Sequence, residues 1–473
     1  MVPAPVANQF PTSKRLFRCM VKKFCLCLML LDVGCLYVSA QTSSSSPGDT
    51  LHLDLPSCLN YAMKHQPGLR VSMVNQRILD YEVKGALSPW LPQINGTGMV
   101  EHYTQPAVSF FPASLFDSSA KGYTEVQSSP TNVSSLGLGL TQNIYNRDVM
   151  LASKTAKYYR KYAAESVDSA KIDLVVDVSK AYYDVFLSEQ QVGILLEDVQ
   201  RLERSVKDTK NQYDAGVVDK TDYKQAVIQL NNAKVQYRMA IVAIPAKYAY
   251  LKQLMGFPVD SSLGLHSDST EMVSEAMIDT SMQLDYNKRI EIQSLETQKQ
   301  LQIAGYNYQR LGWLPSLSFF ADYNLNYGNN TFGQLYNASF PNSYLGLSLS
   351  IPIFQGFKRI YAMKAARLEV ELVDIHLDDT RRIINTQYQQ AMAAYRGDLE
   401  NWKVSQENIG LSREVYNTVT LQYKEGIKTY LDVITAEADL RTSEINGLNA
   451  LFSLLSDKMD VLKAVGMVNT NIN

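Results

Sequence analysis

The segment YDAGVVDKTD, Tyr213 to Asp222, returns as YKEGIKTYLD, Tyr423 to Asp432, at an offset of 210 residues that continues without a gap to Gly256 and Gly466. Only seven of the 44 aligned positions are identical, so identity alone is a weak argument. The order of the surrounding features is the stronger one. Trp90-Leu91-Pro92 recurs as Trp313-Leu314-Pro315, and LGLGLTQNIY from Leu136 recurs as LGLSLSIPIF from Leu345. Each half reads helix, strand, long loop, strand, very long helix, tight turn, helix. The chain therefore divides into a first structural repeat over 51–256, a linker over 257–286 marked by Pro258, Ser261, Ser262 and Asp268, a second repeat over 287–466, and a tail over 467–473.

Strands are expected near 134–145, 315–327 and 344–354, because apolar residues there recur with period two, and near 92–104, where the pattern is poorer, with Ile94 and Val100 on one face and glycines between them. Leu317, Phe319, Ala321, Tyr323, Leu325 and Tyr327 alternate with Ser316, Ser318, Phe320, Asp322, Asn324 and Asn326. Leu345, Leu347 and Leu349 alternate with Gly346, Ser348 and Ser350, and Leu136, Leu138 and Leu140 with Gly137, Gly139 and Thr141. A soluble sandwich would explain any one strand, but the chain offers only these four and no second sheet for them to pack against. Apolar residues outward and small or polar ones inward suit a wall between lipid and water, and the lengths approach the ~9–11 residues a tilted strand needs to cross. Four strands cannot close a barrel, and open edges in lipid are prohibitively unfavourable. Several copies must share one, giving 8, 12 or 16 strands for two, three or four copies.

The helices expected between these strands are long: 147–212 and 220–256 in the first half, 356–424 and 430–464 in the second. No proline occurs between Pro130 and Pro245, and none follows Pro352. A helix over 147–212 would extend roughly 100 Å, far beyond the ~30 Å hydrocarbon core, so most of it must project into water. Val178, Val185, Val192, Val199, Val206 and Tyr213 form a heptad stripe. The same register in the second half reads Tyr388, Tyr395, Trp402, Ile409, Tyr416 and Tyr423, so both halves are expected to be coiled coils. The fold class is therefore mixed and mainly α, with four membrane strands per chain.

Outward from the repeats, the first 40 residues read as an export signal. Lys14, Arg15, Arg18, Lys22 and Lys23 precede an apolar run from Phe24 that ends in Val38-Ser39-Ala40, with cleavage expected after Ala40. A membrane anchor is the alternative, but the run is short and interrupted by Asp32. A Ser-rich linker follows over 41–50. Cleavage removes four of the five cysteines and leaves Cys58 alone, so no intramolecular disulfide is expected. Cys35 as a lipidated cysteine is disfavoured, because Asp32 stands where a lipobox usually has Leu. With 45 basic and 47 acidic residues and 46% hydrophobic ones, the composition excludes a polybasic nucleic-acid binder and wholesale disorder. A mean hydropathy of -0.17 excludes a polytopic helical membrane protein.

These segments, in this order, resemble the TolC-type outer-membrane factors of Gram-negative bacteria. LDLPSCLNYAMKHQPGLRV from Leu53 is similar to that family's first helix with its Pro break, and SPWLPQINGTG from Ser88 to its entry into the first barrel strand. YKEGIKTYLDVITAEADL from Tyr423 is similar to its second inner turn. The resemblance covers nearly all of the exported chain. It implies a homotrimer with one shared 12-stranded barrel, continued by an α-helical tunnel across the periplasm to an adaptor protein and an inner-membrane pump. A periplasmic coiled-coil adaptor, or a structural protein without a pore of its own, is the alternative, and it would leave the alternating strands idle.

No catalytic, cofactor-binding or metal-binding set is expected. His52, His65, His102, His266 and His376 form no ligand spacing, and no phosphate loop or nucleophile elbow is present. His376 with Asp374, Asp378 and Asp379 reads as a solvated helix face, and Cys58 as a small buried hydrophobe. The candidate residues lie at the helix turns. Gly216 and Gly426 follow Tyr213 and Tyr423 by three, where a helix end needs a residue tolerant of positive φ. Asp222 and Asp432 begin the next helices, where an acid is favourable in any case. Gating or simple helix-end placement are both open for Asp222, and gating is preferred for Asp432. The resemblance implies that Asp432 contributes to an acidic ring at the tunnel tip, with Thr435 where a second acid is usual. It also implies that Asp222 faces Lys428, with Tyr423 in the same network.

Overall fold

The protein, seen as a computed structural model, is described over residues 51–117, 121–266 and 269–471. The expected export signal, Cys35 and the Ser-rich linker lie outside the described residues. β1 (Leu51–Leu53) leads into α1 (Leu55–His65) and α2 (Pro67–Leu87). Asp54 caps α1 by accepting from the Ser57 amide, and Gln66 caps α2 by accepting from the Leu69 amide. β2 (Gln93–His102), β3 (Val108–Pro112), β4 (Tyr123–Gln127) and β5 (Asn132–Tyr145) follow. α3 (Arg147–Asp214), 68 residues long, turns tightly into α4 (Lys220–Met255). β6 (Leu263–Leu265) and α5 (Ser269–Ala276) lie between the repeats. The second half comprises α6 (Ile290–Arg310), β7 (Ser316–Asn329), β8 (Phe340–Ser350), α7 (Lys358–Lys424) and α8 (Tyr430–Val465).

The heptad stripe of α3 is the seam it buries. Val178, Val185 and Val199 are buried, as are Ala181, Leu195, Leu202 and Thr209 three residues on from their partners. In α7 the bulkier stripe is buried only at Tyr395, while Tyr388, Trp402, Ile409, Tyr416 and Tyr423 are half-buried. α4 covers the half of α3 near the turn, α2 covers the half near the sheet, and α8 and α6 do the same for α7. One core joins the two coiled coils, with Val178, Tyr182 and Val185 packed among Leu251, Met255, Leu454 and Leu455. Cys58 belongs to it, fully buried, and burial pushes its thiol up to about 12. The His376 neighbourhood is exposed in part and tied by ion pairs, Asp374 to Lys299 and Asp378 to Arg381.

Three segments differ from the sequence reading. The linker over 257–286 is part of the packed body, because β6 pairs in parallel with β1. Beyond it, the Tyr395 hydroxyl donates to the Ala276 carbonyl at 2.9 Å, and that of Tyr388 to the Met282 carbonyl at 2.7 Å. Tyrosines read as coiled-coil seam thus also strap this segment across α7. The long loop of the first half contains the β3–β4 hairpin, whose short strands carry too few alternating residues to be read. The last strand runs over Phe340–Ser350, not 344–354. Its partner β7 begins at Ser316, opposite Ser350, and Pro352 has no amide to give a ladder. Gly356 and Phe357, both at positive φ, then turn the chain into α7, which starts at Lys358.

Candidate functional site: channel wall and hairpin tips

The four longer strands form one antiparallel sheet in the order β2-β5-β7-β8, so β2 and β8 are edges without partners among the described residues. Its register places Leu345 opposite Ala321, Leu347 opposite Phe319 and Leu349 opposite Leu317, all on one face. That face is bare: Leu345, Leu347 and Leu349 are 75%, 64% and 59% exposed. The opposite face is polar and tightly fitted. Ser135 donates to the Asn326 side-chain oxygen at 2.8 Å, and Asp322 lies so close to Gly139 that a Cβ there would meet its carboxylate at 2.7 Å. Phe320 lies over Gly346 and meets the Tyr344 ring edge-on, with centroids 6.1 Å apart.

Both hairpin tips are built alike. Gly216 and Gly426 adopt φ of 75° and 74°, and each lets the next amide return to the helix: Val217 to the Gln212 carbonyl and Ile427 to the Gln422 carbonyl, both at 2.8 Å. The following helices differ in their caps. Thr429 donates to the Asp432 carboxylate and receives its amide, a reciprocal capping box. In the first tip Asp219 is the cap and has no hydroxyl to donate to Asp222, whose carboxylate also has no ion pair among the described residues. Thr435 donates to its own helix, at the Leu431 carbonyl.

The expected Asp222–Lys428 opposition is not found within the protomer. Lys428 lies 3.8 Å from Asp432, one helical turn away on its own hairpin. The Asp432 carboxylate, accepting from Thr429 and facing Lys428, is held below the usual carboxylate range. Tyr423 does cross between hairpins, but to Gln212, whose side-chain oxygen accepts its hydroxyl at 2.7 Å. Tyr430 and Ser205 make a second hydroxyl contact at 3.0 Å. Burial raises the Tyr423 hydroxyl above its ordinary value, and the negative Asp222 nearby raises it further. Asp222 therefore acts on this network through its field, not through a bond.

Further along, four charged side chains that the sequence reading did not single out join α3 to α8. Asp198 is fully buried; Arg441 donates to it at 3.1 Å, Arg201 lies 3.5 Å from its other oxygen, and the Arg201 guanidinium is 3.4 Å from Glu437. Burial, reinforced by the Asp198 charge, pushes the Glu437 carboxyl up to about 7. A signal was present: Asp198 falls between Leu195 and Leu202 on the apolar stripe, and Glu437 between Val433 and Leu440, where solvated charges do not belong.

The model of the outer membrane efflux protein family matches residues 58–256 and 286–467, more than half of the chain. The chain belongs to the outer membrane efflux protein family. Among relatives, outer membrane protein TolC of Vibrio cholerae is 20% identical over 430 residues, covering 88% of this chain and 91% of that one. Alkaline protease secretion protein AprF of Pseudomonas aeruginosa is 22% identical over 320 residues, covering 65% and 64%. A solved structure of CusC superposes with a TM-score of 0.69 at 15% identity, covering 89% of this chain and 95% of that chain. The efflux family member described here is thus an outer-membrane channel of mixed, mainly helical fold, an exit duct of the kind that serves efflux or secretion. Its bare leucine face is the surface such a location requires.

Proposed function

We propose that three copies of this efflux family member close one 12-stranded barrel, continued by a helical tunnel across the periplasm, and that the duct is passive and gated. Energy would come from an inner-membrane pump, and contact with it from a periplasmic adaptor protein. The carrying observation is the four-stranded sheet with two edges unpaired among the described residues and one exposed apolar face. Such a sheet is tolerable in lipid only when copies pair edge to edge. Strand number alone permits two, three or four copies, and the resemblance to the TolC-type factors favours three. The duct carries out no reaction and needs no cofactor, and its cargo is drugs, small solutes or proteins, in keeping with relatives named for efflux and for protease secretion. A coiled-coil adaptor or a structural protein without a pore is the alternative reading, and the sheet disfavours it. Fractionation separates the two: the duct predicts a boiling-sensitive oligomer in the outer membrane that conducts ions in planar bilayers. A soluble periplasmic monomer without conductance would overturn it.

A further inference from the structure

The first turns of α3 and the last turns of α6 leave an open pocket of about 550 Å³ between them, within the ~300–1,000 Å³ typical of ligand sites. Tyr145, the last residue of β5, and Leu314, just before β7, also line it, so it lies where the sheet meets the helices. Its side is fixed by a bulge. Between Asn143 and Tyr145 the register shifts, placing Tyr145 opposite Leu317. Directly opposed residues share a face, and Leu317 belongs to the bare apolar face. The pocket therefore opens toward the membrane and not toward the lumen.

Its lining has two characters. Met150, Leu151, Ile303, Leu311 and Leu314 supply an apolar floor. Arg147, Lys154, Lys157 and Arg310 supply four positive charges, none of them in an ion pair among the described residues. Arg147 and Lys157 lie over the rings of Tyr308 and Tyr158. Asp148, the acid in the first turn of α3, is taken by the Tyr308 hydroxyl. The positive end of α3 points into the same region. Arg359 flanks Gly312 together with Arg147, and one of its terminal nitrogens is buried without a hydrogen-bond partner.

We propose that this pocket holds an anionic phospholipid of the periplasmic leaflet, its phosphate among the four cations and an acyl chain along the apolar floor. A free anion would satisfy the charges and leave the floor wet. A neutral or zwitterionic lipid would cover the floor and leave the charges unmatched. The site rests on the strands lying in the membrane, and it would fix the depth at which the helices leave it.

The test uses the full-length oligomer in detergent, offered phosphatidylglycerol, phosphatidylethanolamine or inorganic phosphate, with bound lipid read by native mass spectrometry. Phosphatidylglycerol should be retained in preference to phosphatidylethanolamine. Lys154→Gln with Lys157→Gln should weaken its retention roughly 25-fold, about fivefold per cation, and Arg310→Gln about fivefold. Lys207→Gln with Lys210→Gln, further along α3, should change nothing. Equal retention by parent and variants, equal retention of the two lipids, or displacement by inorganic phosphate at equal concentration would overturn the proposal. Conductance is recorded on the same samples, so a failed barrel appears as lost conductance and a failed lipid site as unchanged retention.

Discussion

Arg441 donates to the carboxylate of Asp198 at 3.1 Å and so ties α8 to α3 through an acid with no exposed surface. The acid lies on the apolar stripe between Leu195 and Leu202, where its charge persists only if a counter-charge stays in place. Removing one member of such a buried pair costs about 3–5 kcal/mol, largely the penalty of the charge left behind. The tie is therefore strong while the hairpins are together and expensive to break in part, the behaviour a two-state gate needs.

Acidity should tighten this tie. The Glu437 carboxyl is raised to about 7 where the hairpins meet and returns toward the ordinary 4.5 when they separate into water. The joined state thus binds the proton more strongly. Its contribution is complete below the solvated value and is lost as pH rises through about 7. Open probability in planar bilayers should fall between about pH 8 and about pH 5.5. Glu437→Gln should flatten that profile near its acidic limit, and an unchanged slope in the variant would remove Glu437 from the gate.

At the tip, Tyr423→Phe deletes the hydroxyl that donates to Gln212 and keeps the ring. One such bond contributes about 0.5–1.5 kcal/mol, so three copies opening together would gain roughly ten- to a thousandfold in open population. Lys428→Ala should change closure little, since the nearest acid to Lys428 is Asp432 on its own hairpin. Single-channel recordings in which Lys428→Ala opens as readily as Tyr423→Phe would contradict this ranking.

Asp432 has two separable roles. It completes the cap of α8 with Thr429, and it leaves a partly exposed carboxylate at the tip of the second hairpin. Thr429→Ala removes the cap and keeps the charge, whereas Asp432→Asn removes the charge. If three such carboxylates ring the entrance, trivalent cations added on the periplasmic side should block the parent and Thr429→Ala, block Asp432→Asn weakly, and block Thr435→Asp more tightly. Equal block of the parent and Asp432→Asn would take the residue out of the entrance.

The sheet makes a prediction at single-residue resolution. Leu347→Arg places a charge on the bare face and should disfavour membrane assembly by about 2–4 kcal/mol near the bilayer midplane. Ser348→Arg, on the polar face, should assemble and alter conductance. Like behaviour of the two in a heat-modifiability assay would mean that the segment is not a barrel strand, and the reverse ranking would mean that the faces are assigned the wrong way round.

What the sequence made legible was periodicity. The heptad from Val178 and the alternation from Leu317 and Leu345 report which face of an element is apolar, and they located the long helices and four main strands. Periodicity says nothing about which partner a strand finds. Ile351 and Ile353 continue the alternation beyond Ser350, where β7 has already run out. The β3–β4 hairpin was too short to show a period, and Tyr388 and Tyr395 gave no sign that their hydroxyls would strap a linker. At the tip, residue type suggested an ionic link between Asp222 and Lys428. The geometry instead brings Lys428 to the acid one turn ahead and leaves Tyr423 and Gln212 to cross. Long-range pairs of this kind depend on how two hairpins meet, which local spacing does not encode.

As proposed, this sheet is one part of a barrel shared among copies. The most direct test is the protein mass of the conducting species, extracted from the outer membrane and measured by light scattering with the detergent contribution subtracted. A shared 12-stranded barrel requires three chains in every particle that conducts and none that conducts alone. A conducting monomer, or a conducting assembly of two or four chains, would contradict it.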